Sequence, residues 1–279
     1  MVFGYLKYPS CTLQRHWNDV QNNISEFKFR VTSETGAGTT VADGSSTTYT
    51  IQQAIDYADW DIVVFQQESS NARTYSTFSP YLQNLIDYVE GELPNARLLF
   101  HQVWRWGEWN ADQFDLIKEA SERMVKDYGI ELIPSGLAFE YARKALGSAT
   151  IINEDDGHYQ HANRYGQYIE GCCYVAKIFG IEIAADTFAS HPYVNDENFV
   201  TTLTSAANSA VAYYDVKVGD ADENGTIEGN DLTKIRQHMV DEKAIRKDVG
   251  DVTGNYEINV FDYVHLKSYL LDTANVVLR

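Results

Sequence analysis

The chain has 279 residues, of which 44% are hydrophobic, 22% charged and 13% aromatic. That is a globular composition, which excludes a disordered, collagen-like or fibrous chain. The 40 acidic residues against 22 basic ones give a formal charge of −18. This field repels phosphate backbones and anionic membrane surfaces, so no nucleic acid and no membrane is expected as a partner. No apolar run approaches the roughly 18 residues that span a bilayer.

The first predicted segment is a loop or flap at residues 32–50, because Gly, Ser and Thr dominate it. An amphipathic stretch at 51–57 leads to the apolar run DIVVF at 61–65. A helix pattern at 80–90, closed by Gly91 and Pro94, precedes the run ARLLFHQV at 96–103. Another helix, 112–128, precedes IELI at 130–133, and further helix patterns fall at 137–146, 165–179 and 197–212. Short apolar runs separated by amphipathic helices predict βαβ units, hence an α/β fold with a parallel sheet. The pattern changes after residue 212. The expected organisation is therefore a domain at 1–212, a linker at 213–218 and a second domain at 219–279. Of three cysteines, Cys172 and Cys173 are adjacent and Cys11 stands far away, so no disulfide framework is readable.

The second domain contains two related segments, GDADENGTIEGNDLTKIRQHMV and GDVTGNYEINVFDYVHLKSYLL, whose starts lie 31 residues apart. Each sets oxygen-bearing side chains at loop positions 1, 3, 5, 9 and 12 and then runs into an amphipathic helix. That spacing wraps a calcium ion, with position 7 lending its carbonyl. In the first loop the positions are Asp220, Asp222, Asn224, Glu228 and Asp231, with Thr226 at position 7 and Gly225 at the turn. In the second they are Asp251, Thr253, Asn255, Asn259 and Asp262, with Glu257 at position 7. There Tyr256 replaces the turn glycine and Thr253 is a weak ligand, so the first loop is expected to bind calcium more tightly.

The duplicated loop–helix pattern, with Asp at position 12 and no helix before the first loop, resembles a dockerin. That resemblance implies a small all-α module that plugs a bacterial enzyme into a cellulosomal scaffoldin by binding a cohesin. It places the cohesin contact at Gly229, Asn230, Arg236 and Gln237 in one copy and at Val260, Phe261, Lys267 and Ser268 in the other. The copies differ there, against a symmetric dual binding mode.

In the first domain, NEDDGHYQHANRYG sets Asp155 three residues before His158 at a helix entrance. With SCTLQRHWN, DWDIVVFQQES, PNARLLFHQVW and IPSGLAFEYAR, this block resembles the SGNH/GDSL esterases, in five blocks in the same order. The resemblance implies a doubly wound parallel sheet, flavodoxin-like in type. It also implies a His158 general base oriented by Asp155, with Asp156 and His161 as rivals. Gln66 or Gln67, at the end of DIVVF, would donate an amide to the oxyanion, together with the backbone N–H of Ser10. Alternation says only that the two glutamines face opposite ways. Trp104 and Trp106, with Trp109, follow a strand end, where they would either stack on sugar rings or pack into the core and an exposed loop.

The superfamily's Gly-Asn/Asp-Ser block finds no counterpart, and the opening VFGYLKYPSCTL corresponds to the second strand of such a sheet. A dockerin-bearing protein is exported, yet MVFGYLKYPS has neither a basic nor a long apolar leader region. The first strand, the nucleophile and a leader are therefore expected upstream of Met1. The expected function is that of a secreted, cellulosome-associated carbohydrate esterase acting on plant polysaccharide, with calcium as cofactor and a cohesin as partner. For this chain by itself little or no hydrolysis is expected. The alternative is a non-catalytic carbohydrate-binding component carried by the same dockerin.

Overall fold

The computed structural model describes residues 2–7, 12–24, 27–35, 38–106, 111–147, 151–152, 161–184, 197–215, 217–255, 257–272 and 276–278. The chain divides into two units, Met1–Asn208 and Ser209–Arg279.

The first unit holds two sheets. Strands β1 (Val2–Lys7), β2 (Phe27–Thr35) and β3 (Gly38–Tyr49) pair antiparallel in that order, with helix α1 (Leu13–Asn22) between the first two. Two expectations are corrected here. Much of the segment predicted as a flap is strand, because its Thr, Val and Tyr residues suit a pleated ribbon and outweigh the turn signal of Gly and Ser. The opening strand runs antiparallel in this ribbon and is not part of the parallel sheet.

After the short helix α2 (Ile51–Ile55), strands β4 (Ile62–Gln66), β5 (Arg97–His101) and β6 (Glu131–Ile133) pair parallel in the order β4-β5-β6. Parallel neighbours need a crossover, supplied by α3 (Tyr81–Glu92) and α4 (Ala111–Tyr128). Helix α3 buries Leu82, Leu85, Ile86 and Val89, the i, i+3, i+4, i+7 stripe of a core-facing helix. The central strand is the most buried: Leu99, Phe100 and His101 are at most 1% exposed. Phe100 meets Phe78 with ring centroids 5.5 Å apart.

Helix α5 (Ser135–Leu146) leaves β6 against the exit of β5. Gly136 makes that approach possible, since a Cβ there would lie 2.3 Å from the Val103 carbonyl oxygen and 2.8 Å from the Phe114 ring. Helix α6 (Arg164–Phe179) is capped by Asn163, whose side chain accepts from the N–H groups of Tyr165 and Gly166. It carries Cys172 and Cys173, both free and buried. The amino ends of the strands are tied by Arg97, which grips Glu131 through Nε at 2.6 Å and Nη2 at 2.7 Å and donates to the Ile178 carbonyl. Helix α7 (Glu197–Tyr214) follows, its residues up to Asn208 in this unit and the rest in the second. The first unit is thus mixed α/β, mostly helical, with a small parallel sheet of three strands.

The second unit has α8 (Gly229–Met239), the short α9 (Lys247–Gly250) and α10 (Val260–Leu270). Its core is Ala221, Ile235, Val252 and Leu266, with Ile227 and Ile258 packed against it from loop position 8 of each copy. Two residues expected in a linker belong to this unit. Val218 packs on the core, and the Arg246 guanidinium lies 3.4 Å over the ring of Tyr213 and donates to its carbonyl. Among the described residues no helix is long and apolar enough to cross a membrane.

Candidate functional site

The carboxyl ends of β4, β5 and β6 collect polar residues at the end of an apolar sheet. Gln66 and Gln67 follow each other there and do different things. Gln67 is buried and its amide is committed within the fold. Its oxygen accepts from the N–H of Leu13 (3.2 Å) and of Glu68 (3.0 Å), and its nitrogen donates to the carbonyl (3.1 Å) and hydroxyl (3.2 Å) of Thr77. It ties the start of α1 to the strand end. Gln66 is exposed. Its Oε1 lies 2.7 Å from Nδ1 of His101, the residue paired with it in the β4–β5 register. Of the two glutamines, Gln66 has the available amide nitrogen.

His101 has no place in the sequence-level site. It is 1% exposed, and burial pushes its imidazole down to about 3, so the ring is neutral. Its Nε2 has no hydrogen bond and faces Oε1 of Glu170 on α6 at 3.8 Å. Burial in turn pushes the Glu170 carboxyl up to about 7. The rings of Tyr174 (5.2 Å) and Trp104 (6.2 Å, edge-on) flank the imidazole. The signal in the sequence was a histidine closing the run RLLFH at the crevice end of a strand, where the sheet rule places ligands.

Trp104 is half-buried and stacks on Phe139 at 4.3 Å with the rings 5° from parallel, so one of its faces is taken by the core. Trp106 is half-buried beside it in sequence. Between them Arg105 is buried and pairs with Glu140 at 3.0 Å, and Glu140 also holds Arg143. Ser10, Asp155, Asp156, His158 and Trp109 lie outside the described residues, while His161 is exposed.

In the second unit the two loops share the bonds of positions 5 and 12 and differ in those of position 1. The position 1 carboxylates are buried and accept from backbone N–H groups of the turn. Asp220 takes those of Asn224 (3.0 Å) and Gly225 (2.7 Å); Asp251 takes those of Gly254 (2.9 Å) and Asn255 (3.0 Å). The position 12 carboxylates are fully buried. Asp231 accepts from Asp222 (3.0 Å) and Glu228 (2.7 Å), and Asp262 from Thr253 (3.0 Å) and Asn259 (2.8 Å). Positions 9 and 12 thereby form a capping box that starts α8 and α10. At position 5, Asn224 accepts from the N–H of Thr226 and Asn255 from that of Glu257.

The loops also differ. Asp220, Asp222 and Asp231 bring one oxygen each within 4.8 Å of one another, a donor set suited to a hard cation. In the second loop the Thr253 hydroxyl instead donates to Asp262 at 2.8 Å. Both loops turn at position 4 through a positive φ, at Glu223 (59°) and Gly254 (80°), and Gly225 at position 6 of the first adds another (89°).

The two units thus define a mixed α/β protein with a polar strand-end site, joined to a paired loop–helix module. The chain belongs to the DUF4886 family, described as a domain of unknown function, whose family model matches residues 1–210. A crystal structure of a DUF4886 family protein from Bacteroides uniformis ATCC 8492 is similar to it, with a TM-score of 0.64 and 23% identity, over 80% of this chain and 88% of that one. At that identity the likeness is one of fold. No curated protein matches the chain.

Proposed function

We propose that the second unit is a calcium-dependent docking module of the dockerin type, and that it carries an SGNH-like hydrolase domain to a cohesin outside the cell. The observation that supports this most is the matched position 12 aspartate of two acid-bearing loops, each accepting from the N–H groups of positions 3 and 9 and capping the helix that follows. The residues fit the ion. Asp220, Asp222, Asn224 and Asp231 with the Thr226 carbonyl would hold one calcium; Asp251, Thr253, Asn255 and Asp262 with the Glu257 carbonyl would hold a second, more weakly. A bound ion neutralises carboxylates that the fold otherwise buries close together. The full chain loaded with calcium should be retained by an immobilised cohesin panel and released by a chelator. Equal retention with and without chelator, or none on any cohesin, would sink the docking role.

For the first unit we propose the deacylation of plant cell-wall polysaccharide on a doubly wound sheet. His158 would act as base, Asp155 would orient it, and the Gln66 amide with the Ser10 N–H would face the oxyanion. No described residue is assigned as the nucleophile. The tryptophans at the β5 exit favour a second reading, a carbohydrate-binding component without catalysis. Acetate release from acetylated xylan by a version of the protein that carries a nucleophile serine block, abolished by His158→Ala, would support the hydrolase. Retardation on a xylan affinity gel without release would support the binder.

A further inference from the structure

We propose that His101 is a positioning residue. Its Nδ1–H holds the Gln66 carboxamide by the oxygen, leaving the NH2 group turned away from the ring as a preset donor to an acceptor oxygen, such as the carbonyl of an acyl ester. Glu170, in its acid form, closes the other side of the ring. This deepens the hydrolase reading above, since it names what would fix the donor of that site.

The register puts Gln66 and His101 side by side at the ends of β4 and β5, and their side chains meet at 2.7 Å. An amide oxygen only accepts, so the proton of that bond is on Nδ1, and in a neutral ring Nε2 is then a bare acceptor. That acceptor is buried without a hydrogen bond, and the group it faces is Glu170 at 3.8 Å. A carboxylate there would set two acceptors against each other, whereas a carboxylic acid supplies the missing donor. Burial acts in the same sense on both groups, keeping the imidazole and the carboxyl neutral. Cys173 and Tyr174, the titratable neighbours of Glu170 on α6, are also held in their neutral forms by burial. The Gln66 nitrogen makes no hydrogen bond among the described residues, and Gln66 is exposed. A flipped amide would demand the opposite chain, with the proton on Nε2 and an ionised Glu170.

The test is nitrogen-resolved NMR of the full chain labelled at histidine, with His101 assigned from a His101→Gln variant. The expected ring is neutral and protonated at Nδ1 from neutral pH down to about pH 5. An Nε2–H tautomer, or titration near the ordinary value of about 6.5, overturns the proposal. Glu170→Gln should keep the tautomer, because its amide still donates to Nε2. Gln66 side-chain NH2 signals should be narrow-range and restricted in the parent chain and released in His101→Phe; unchanged signals count against positioning. These readouts do not use hydrolysis. An Nδ1–H ring in a protein that releases no acetate would remove the ester and keep the positioned donor; acetate release with an Nε2–H ring would sink the positioning alone.

Discussion

Asp231 has two duties in one side chain. It caps α8 by accepting from Glu228 and it faces Asp220 and Asp222 across the first loop. Asp231→Ala should therefore remove one calcium from the stoichiometry and also cost about 1 kcal/mol without calcium, the usual worth of a lost helix cap. Asp220→Ala should remove the same calcium and leave the cap intact. Titration calorimetry and chelated thermal melts separate the two effects. The clustering of these carboxylates was legible in the sequence because loop positions 1, 3 and 12 recur by number in both copies. The choice between Gln66 and Gln67 was not, because alternation gives opposite faces without saying which one is inward. His101 was overlooked for a similar reason: one polar residue ending an apolar strand looks like any strand end until its neighbours are placed.

Buried His101 and half-buried Glu170 together set a pH dependence. His101 has a folded value of about 3 against an ordinary 6.5, so acid favours the unfolded chain, which takes up the proton. Its contribution is full above about 6.5 and falls away toward 3, by up to about 1.4 kcal/mol per pH unit. Glu170 works in the opposite sense, because burial raises it to about 7 and the native chain keeps the proton as pH falls from there toward its ordinary 4.5. The two oppose each other between about 4.5 and 6.5. Glu170→Gln removes the second effect, so in urea unfolding it should lose more stability between pH 7 and pH 5 than the parent chain does. Equal losses would contradict this assignment.

At the scale of elements, the crossing of α5 with the β5 exit rests on the absence of a side chain. Gly136→Ala places a Cβ 2.3 Å from a backbone oxygen, which cannot swing away as a flexible side chain could. The cost should be about 1–3 kcal/mol, read as a lower melting temperature of the first unit. The helices of the second unit present unequal outer faces. Val260, Phe261 and Val264 are exposed on α10, where α8 offers the exposed Gly229, Asn230 and Thr233 at the same positions. If cohesin docks through this unit, Phe261→Ala should weaken binding at least about tenfold without changing calcium uptake, and Asn230→Ala should have a smaller effect. Comparable losses from both would contradict an α10-led contact. The parallel strands were legible because central strands read as unbroken apolar runs. The antiparallel ribbon was not, because Gly, Ser and Thr mark loops and exposed strands alike, and pairing partners far apart in the chain decide between them.

For the whole molecule, the charge of −18 divides into two roles. In the second unit, four buried aspartates (Asp220, Asp231, Asp251 and Asp262) stand at matched loop positions. In the first, the described acids other than Asp19 are not buried, and such a surface repels a phosphate backbone. Calcium that binds only the folded loops stabilises them by mass action. In scanning calorimetry it should raise the melting of the second unit and leave that of the first where it was.

The most direct measurement is a calorimetric titration of calcium into the intact chain stripped by chelator. Two bound ions with unequal affinities are expected, reduced to one by Asp220→Ala. A chain that takes up no calcium, or binds it unchanged by Asp220→Ala, would contradict the account at its centre.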